Sequence, residues 1–237
     1  GAILNFKNTI GSIAGSFIGN MAYRGGAIYN KDVITNLTGN YANNSATSDG
    51  GAIYNDTGAS INSLSGTYSE NSTSDGWGGA FMNYGSVASS NASFKANTTN
   101  KRGGAIYNKA SGLITNLGGN FESNSAGDAG GALFNEKDGN TSGQITTLSA
   151  YFTSNSATYN GGAVYSNGDI GAVSGDYSQN SANNGGGIYN SGNISSIASG
   201  ASFTSNSVSG NGGAIFNDGT IGDTINVDNV AKYFSLL

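Results

Sequence analysis

Apolar residues fall along this chain in small clusters that recur evenly and are separated by Gly, Asn, Ser and Thr. Three kinds of cluster alternate. The first is a run such as Ala27-Ile28-Tyr29. The second is an aliphatic pair three positions apart, such as Ile34 and Leu37, and the third is a lone aromatic such as Tyr41, four positions further on. None is long enough for a helix of ordinary length. Each suits a strand of three to five residues, with β-branched and aromatic side chains in the strand and Gly and Asn at the bends.

The clusters belong to an internal repeat. A glycine motif reads GGAIYN at Gly25–Asn30, Gly50–Asn55 and Gly103–Asn108, and GGAFMN at Gly78–Asn83. It returns as GGALFN at Gly130–Asn135, GGAVYS at Gly161–Ser166, GGGIYN at Gly185–Asn190 and GGAIFN at Gly212–Asn217, and the opening GAILN is a shortened ninth copy. With the second glycine as marker, copies stand at Gly1, Gly26, Gly51, Gly79, Gly104, Gly131, Gly162, Gly186 and Gly213, spaced 24 to 31 residues apart. An aromatic followed three positions later by Asn interleaves with them. It begins at Phe17, Tyr41, Tyr68, Phe94, Phe121, Phe152, Tyr177 and Phe203, and its asparagines run from Asn20 and Asn44 to Asn206. The aliphatic pair precedes the aromatic by seven and four positions in most copies. Ser90 replaces its second member in the fourth copy, and Ile194 and Ile197 are displaced by two in the eighth. The longest insertion is Glu136–Gln144.

Three strands and three bends per repeat make one coil of a triangular solenoid. A lone coil cannot bury its apolar face, whereas stacked coils can. The expected fold is an all-β parallel β-helix of about nine coils of 24–31 residues, with three short strands per coil, filling 1–237 as a single domain. At about 4.8 Å per rung the rod would be roughly 40 Å long. The column Ile3, Ile28, Ile53, Phe81, Ile106, Leu133, Val164, Ile188 and Ile215 is expected inside, and the Phe17-type aromatics form a second inner column. Strict alternation then turns Ala27 and Tyr29 outward as an exposed aromatic ladder, and the reverse reading hides both. Asn at a fixed bend either bonds to its equivalent in the next coil, in the Asn30, Asn55, Asn83 and Asn108 column and the Asn44 column, or simply tolerates the turn. The paired glycines permit a tight bend or close backbone approach. They lack the Lys and hydroxyl residue of a phosphate-binding loop.

Composition removes several functions. The chain has no Cys and no His, so thiolate chemistry, disulfides and the commonest general base and metal ligand are all absent. Charged residues make up 10%, the net charge is −5, and Lys101–Arg102 is the only adjacent basic pair, which speaks against a nucleic-acid groove. No apolar run is long enough to span a membrane, and the opening residues show no signal-peptide pattern. Glycoside chemistry needs close carboxylates. Glu70 and Glu122 would stand two coils apart, about 10 Å. No catalytic residue, cofactor or metal site is expected.

The GGA[IVL][YF] and FxxN motifs, for example GGAIYN at Gly50–Asn55 and FESN at Phe121–Asn124, resemble the passenger repeats of bacterial autotransporters, above all the chlamydial polymorphic outer-membrane proteins. The likeness covers Gly1 to about Asn217. It implies a right-handed β-helix displayed at the bacterial surface or outside the cell, and a role in adhesion or surface structure. By it, Gly26, Gly51, Gly104, Phe94 and Asn97 carry structure and not catalysis. Tyr stands at several positions where the family has Phe, and there are no cysteines. The expected partners are a protein or glycan at another surface, or copies of the chain itself. Polar side chains such as Thr38, Ser63, Ser65 and Thr67 offer many weak hydrogen bonds, and an exposed Tyr ladder would stack on sugars or on another rod. The second functional reading is an end-to-end filament. Residues 218–237 would form a terminal coil, cap or contact segment in it. Val230, Tyr233, Phe234, Leu236 and Leu237 would then meet Ile3 and Leu4 of the next chain.

Overall fold

Backbone hydrogen bonds in this chain run mainly from each repeat to the next, so the strands of the repeat find their partners about one repeat away. The computed structural model describes residues 1–222 and the backbone of the strand Ile225–Val230. The result is a parallel β-solenoid of about eight turns. Coils are numbered below by their marker glycine, from Gly1 in coil 1 to Gly213 in coil 9.

In coil 2 the chain forms Ile28–Asn30, Val33–Leu37, Asn40–Ala42 and Ser45–Ala46. The first stretch joins a nine-stranded sheet running from Ile3–Asn5 to Ile215–Asn217, here the glycine-motif sheet. The second and third join a broad sheet of 17 strands, and the fourth a narrow sheet of eight. That fourth stretch is one more than the pattern predicts. It is two residues of Ser, Thr or Ala, so it carries no apolar signature. It pairs because the bend before it returns the backbone to the coil below, as in Ser45 N–H to the Asn20 carbonyl.

Equivalent residues lie in register: Ile28 on Ile53, Ile34 on Ile61, Tyr68 on Phe94. The insertion within coil 6 leaves this register intact. Lys137–Asp138 and Thr141–Ser142 fold out as a small antiparallel hairpin, and Gln144 returns to pair with Asp169. In coil 8 two extra residues between Ile197 and Phe203 are absorbed within the single strand Asn193–Thr204, while both residues keep their partners Val173 and Tyr177.

The two glycines of the motif serve different ends. The first takes a positive φ, +69° at Gly103, where a side chain is strained. The second has ordinary dihedrals but no room. A Cβ on Gly104 would sit 2.7 Å from the Ser125 nitrogen and oxygen and closer still to the Gly131 carbonyl of the next coil. From Asn44 on, the residue before the asparagine that follows each aromatic is a left-handed non-glycine: Asn43, Glu70, Ala96, Ser123, Ser154, Gln179 and Ser205, with φ of 53–58°.

The core is a set of columns. Ile28, Ile53, Phe81, Ile106, Leu133, Val164 and Ile188 are fully buried, as are the aliphatic pairs from Ile34 and Leu37 onward and the Tyr41-to-Tyr177 aromatics. Ala27 belongs to the same core, which corrects the expectation that it faces out with Tyr29. Alternation begins only at Ile28, because the Gly25–Gly26 bend sets the direction of Ala27. Tyr29 does point away from the core, but its column is not an exposed ladder. Tyr54, Met82, Tyr107 and Phe134 are buried there beneath neighbouring side chains, in a small second cluster.

Candidate functional site

Two longitudinal networks account for most of the buried polar side chains. At the aromatic corner, Asn20, Asn44, Asn71, Asn97, Asn124, Asn155, Asn180 and Asn206 form an unbroken ladder. The backbone N–H and the side-chain amide of Asn71 both donate to Asn97 Oδ1. The Asn97 amide donates in turn to Asn124 Oδ1 and to the Tyr68 carbonyl. An oxygen that accepts a backbone N–H cannot be the amide nitrogen, so the orientation is determined. At the glycine-motif corner Asn5, Asn30, Asn55, Asn83, Asn108 and Asn135 form a second ladder that passes to Ser166 Oγ. It resumes from Asn190 to Asn217. Beside these lies the inner aromatic stack from Phe17 to Phe203, with ring centroids 4.7–5.0 Å apart.

The outer side of the glycine-motif sheet carries four ion pairs. Over the Tyr29-type column lie Arg24, Lys31, Arg102 and Lys109, each joined to an acid one coil later: Asp49, Asp56, Asp128 and Glu136. The same cations sit over rings: Arg24 over Tyr54, Lys31 over Tyr29, Lys109 over Trp77 and Arg102 over Phe134. Met82 interrupts the aromatics in coil 4. There Tyr84 packs on Tyr54, and Trp77 on Tyr107. Burial alone would raise the Asp56 carboxyl. Hydrogen bonds from Thr57 N–H, the Tyr29 hydroxyl and Lys31, with the Lys31 charge, bring it below its ordinary value.

Further along, Tyr165, Tyr189 and Phe216 are half-exposed, but they stack nearly parallel, 4.8–5.1 Å apart. Both faces of Tyr165 and Tyr189 are covered by neighbouring rings, so only their edges reach solvent. This corrects the idea of a ladder on which sugars stack, which requires free ring faces.

The broad sheet looks different. Outward positions of its aliphatic strands are Thr35 and Asn36, Asn62 and Ser63, Ala88 and Ser89, Thr115 and Asn116, Thr146 and Thr147, then Gly171 and Ala172. Among the described residues Asp169 is the one charge on these strands. The next column of strands adds the mutually paired Lys95 and Glu122, with Asp176.

The remaining expected positions fall as follows. Gly26, Gly51, Gly79, Gly131, Gly162 and Gly186 share the close approach described for Gly104, whereas Gly213 has only the Asn206 oxygen, 3.5 Å away, near a Cβ among the described residues. Ile3 is half-buried against the first rung and Leu4 is exposed. The backbone of Val230 pairs with Phe203. Tyr233, Phe234, Leu236 and Leu237 lie outside the described residues. Glu70 occupies a left-handed bend while Glu122 pairs with Lys95, so the two carboxylates do not share a column. Among the described residues no three acidic side chains are grouped to hold a metal ion.

What sequence reasoning missed is the basic-to-acidic pairing between coils. Its signal was the spacing, since Lys31–Asp56 and Lys109–Glu136 are each one repeat apart.

No curated protein and no solved structure matches the chain significantly. The family model for the Chlamydia polymorphic membrane protein (Chlamydia_PMP) repeat matches residues 15–31, 37–56, 91–109, 149–167 and 200–218. Each match spans one aromatic–Asn corner and the glycine motif after it, and the unmatched coils keep the same register. The chain thus carries repeats of the Chlamydia polymorphic membrane protein type.

Proposed function

We propose that the chain is a non-catalytic adhesive rod at a bacterial surface, and that it makes contact through the outer face of the broad sheet. The observation that carries this reading is the segregation of charge. One face is a flat plane of hydroxyl and amide groups along successive rungs, and ion pairs crowd the glycine-motif sheet. Such a plane supports many weak, repeated hydrogen bonds to a protein or glycan, whose affinities add when engaged together. The likeness of its repeats to those of a membrane-protein family supports the surface location.

The test is binding of the labelled chain to cultured epithelial cells. A triple variant Asn62→Lys, Ser89→Lys and Asn116→Lys should lose binding. A charge-matched variant on the narrow sheet, Thr98→Lys, Ser125→Lys and Ser207→Lys, should keep it. Equal loss in both, or retention in the first, would contradict the choice of face.

A further inference from the structure

We infer that two copies of this chain pair side by side and antiparallel through the outer faces of their glycine-motif sheets, with the two-fold axis on coil 4. The inference is independent of the adhesive reading and of any end-to-end contact.

Charges follow one order along the two flanks of this face. One flank lies two residues before the marker glycine and reads Arg24, Asp49, Trp77, Arg102, then Ala129 with Asp128 beside it. Backbone bonds hold it in register: Gly25 N–H to Asp49, Gly50 N–H to Trp77, Gly78 N–H to Arg102 and Gly103 N–H to Ala129. The other flank lies five residues after the marker and reads Lys31, Asp56, Tyr84, Lys109, Glu136. Each backbone N–H there reaches the motif residue Asn5, Asn30, Asn55, Asn83 or Asn108 one coil back. From coil 2 to coil 6 both flanks therefore run positive, negative, aromatic, positive, negative.

Two ways of setting such a face against its own copy can be compared. With the two-fold axis along the rod, coil meets like coil and the flanks exchange. Arg24 would face Lys31, Asp49 would face Asp56, Arg102 would face Lys109, and Asp128 would face Glu136. Every charged contact is between like charges, which costs energy at each one, and only Trp77 facing Tyr84 is neutral. With the axis across the rod at coil 4, the flanks keep their sides and the order reverses. Coil 2 then faces coil 6 and coil 3 faces coil 5. Arg24 meets Asp128, Lys31 meets Glu136, Asp49 meets Arg102, and Asp56 meets Lys109. One register position further out, Asp32 meets Lys137. Every one of these pairs is of opposite sign. Asp75 alone is brought near its own equivalent, at the exposed edge of coil 4.

The pairing adds to the intramolecular bridges and does not compete with them. Lys31 already touches Asp56, and the partner adds Glu136 and Lys109 to make a four-membered network with alternating signs. Arg24, Lys31, Arg102 and Asp128 keep 37–44% of their side-chain surface free, so these make the outer contacts; Asp49 and Glu136, at 5% and 13%, act through their field. The half-exposed Trp77 and Tyr84 meet their own equivalents at the axis, aromatic against aromatic as at the centre of stable interfaces. Overlap of coils 1 to 7, at about 4.8 Å per rung and a width of roughly 20 Å, covers on the order of 700 Å² per partner. That approaches the ~800 Å² of a standard interface. It would leave both broad sheets facing outward.

The test uses the full chain in analytical ultracentrifugation with circular dichroism. Wild type should form a dimer that weakens with salt. Arg24→Glu with Lys31→Glu should weaken it at least about tenfold, as should Asp128→Lys with Glu136→Lys. Mixing these two variants should restore pairing, because each reversed coil then meets its complement. Since the chain contains no cysteine, single substitutions give a second readout independent of charge. Tyr84→Cys should crosslink to itself on oxidation, and Ser191→Cys, in the same column at coil 8, should not. A wild type that stays monomeric at about 100 µM, folded variants whose mixture does not associate, or crosslinking at position 191 and not at 84 would each overturn the inference.

Discussion

Gly104→Ala removes no interaction and adds one methyl group, yet the structure gives it a large cost. The new Cβ would lie 2.7 Å from both backbone polar atoms of Ser125 and closer still to the Gly131 carbonyl. All three are backbone atoms, so no rotamer change relieves the contact. Reaching ordinary separation means opening coils 5 and 6 locally by roughly 1 Å. The bonds spanning that gap are Gly103 N–H to Ala129, Gly104 N–H to Gly130, and the Ala105 and Ile106 N–H groups to Ala132, at 2.8–3.1 Å. An extra ångström puts all four beyond hydrogen-bond range. At about 1 kcal/mol net for each, the loss is about 4 kcal/mol. Gly118→Ala is the control. Its Cβ would meet nothing nearer than the Ser90 oxygen at 3.4 Å, and its φ is ordinary, so stability should change by less than about 0.5 kcal/mol. Equilibrium urea unfolding reads both variants. Trp77, the only tryptophan, packs on Tyr107 and reports coils 4 and 5, while circular dichroism reports the whole rod. The two probes should separate in Gly104→Ala, because stacked repeats can unfold locally. A Gly104→Ala rod within about 1 kcal/mol of wild type, or a Gly118→Ala rod equally damaged, would refute the close-approach argument.

Other changes test the polar interior. Asn97→Ala removes two donors and the acceptor of the Asn71 amide and backbone N–H, and should cost about 3–5 kcal/mol in the same unfolding assay; a loss under 1 kcal/mol would mean the ladder is incidental. The Tyr68 hydroxyl is buried without a partner while that of Tyr41 donates to the Thr38 carbonyl, so Tyr68→Phe should be neutral or stabilising by up to about 1 kcal/mol and Tyr41→Phe should cost about that much. Burial pushes the phenols of Tyr41, Tyr68, Tyr107 and Tyr177 well above their ordinary value of 10.0. Their stabilisation is complete below that value and falls as unfolded-state tyrosines ionise above it, by up to about 1.4 kcal/mol per pH unit each. Circular dichroism should show unfolding as pH climbs past about 10.5, and a rod unchanged at pH ~12 would contradict the assignment. Ala96→Gly relieves a left-handed alanine at φ 53° and should stabilise by about 0.5–1 kcal/mol, measured as a rise in urea midpoint.

The parallel stack was legible because its inner columns are chemically distinct and recur at one spacing. Ile28, Leu37 and Tyr41 each have an equivalent in nearly every coil, and the register follows from aligning them. The fourth strand was not legible, since Ser45–Ala46 looks like any loop and is made a strand only by the coil beneath it. The direction of Ala27 depends on the φ of Gly25, which alternation ignores. The covering of Tyr54 and Tyr107 depends on Trp77 and Tyr84, which sit outside the motif and close over Met82. The charge order on the outer face was visible residue by residue, but its meaning required the register, because Arg102 and Asp128 are offset by one position within their coils.

The central claim is that equivalent residues advance by one rung per repeat. Spin labels on Ser63 and Ala172, and then on Ser63 and Ser196, measure it directly, because these positions share one outer column of the broad sheet and the chain offers no native thiol. Pulsed dipolar spectroscopy should give about 19 Å for the first pair and about 24 Å for the second, an increase of one rung. Broad distributions, or a second distance no longer than the first, would contradict the stacked-coil account.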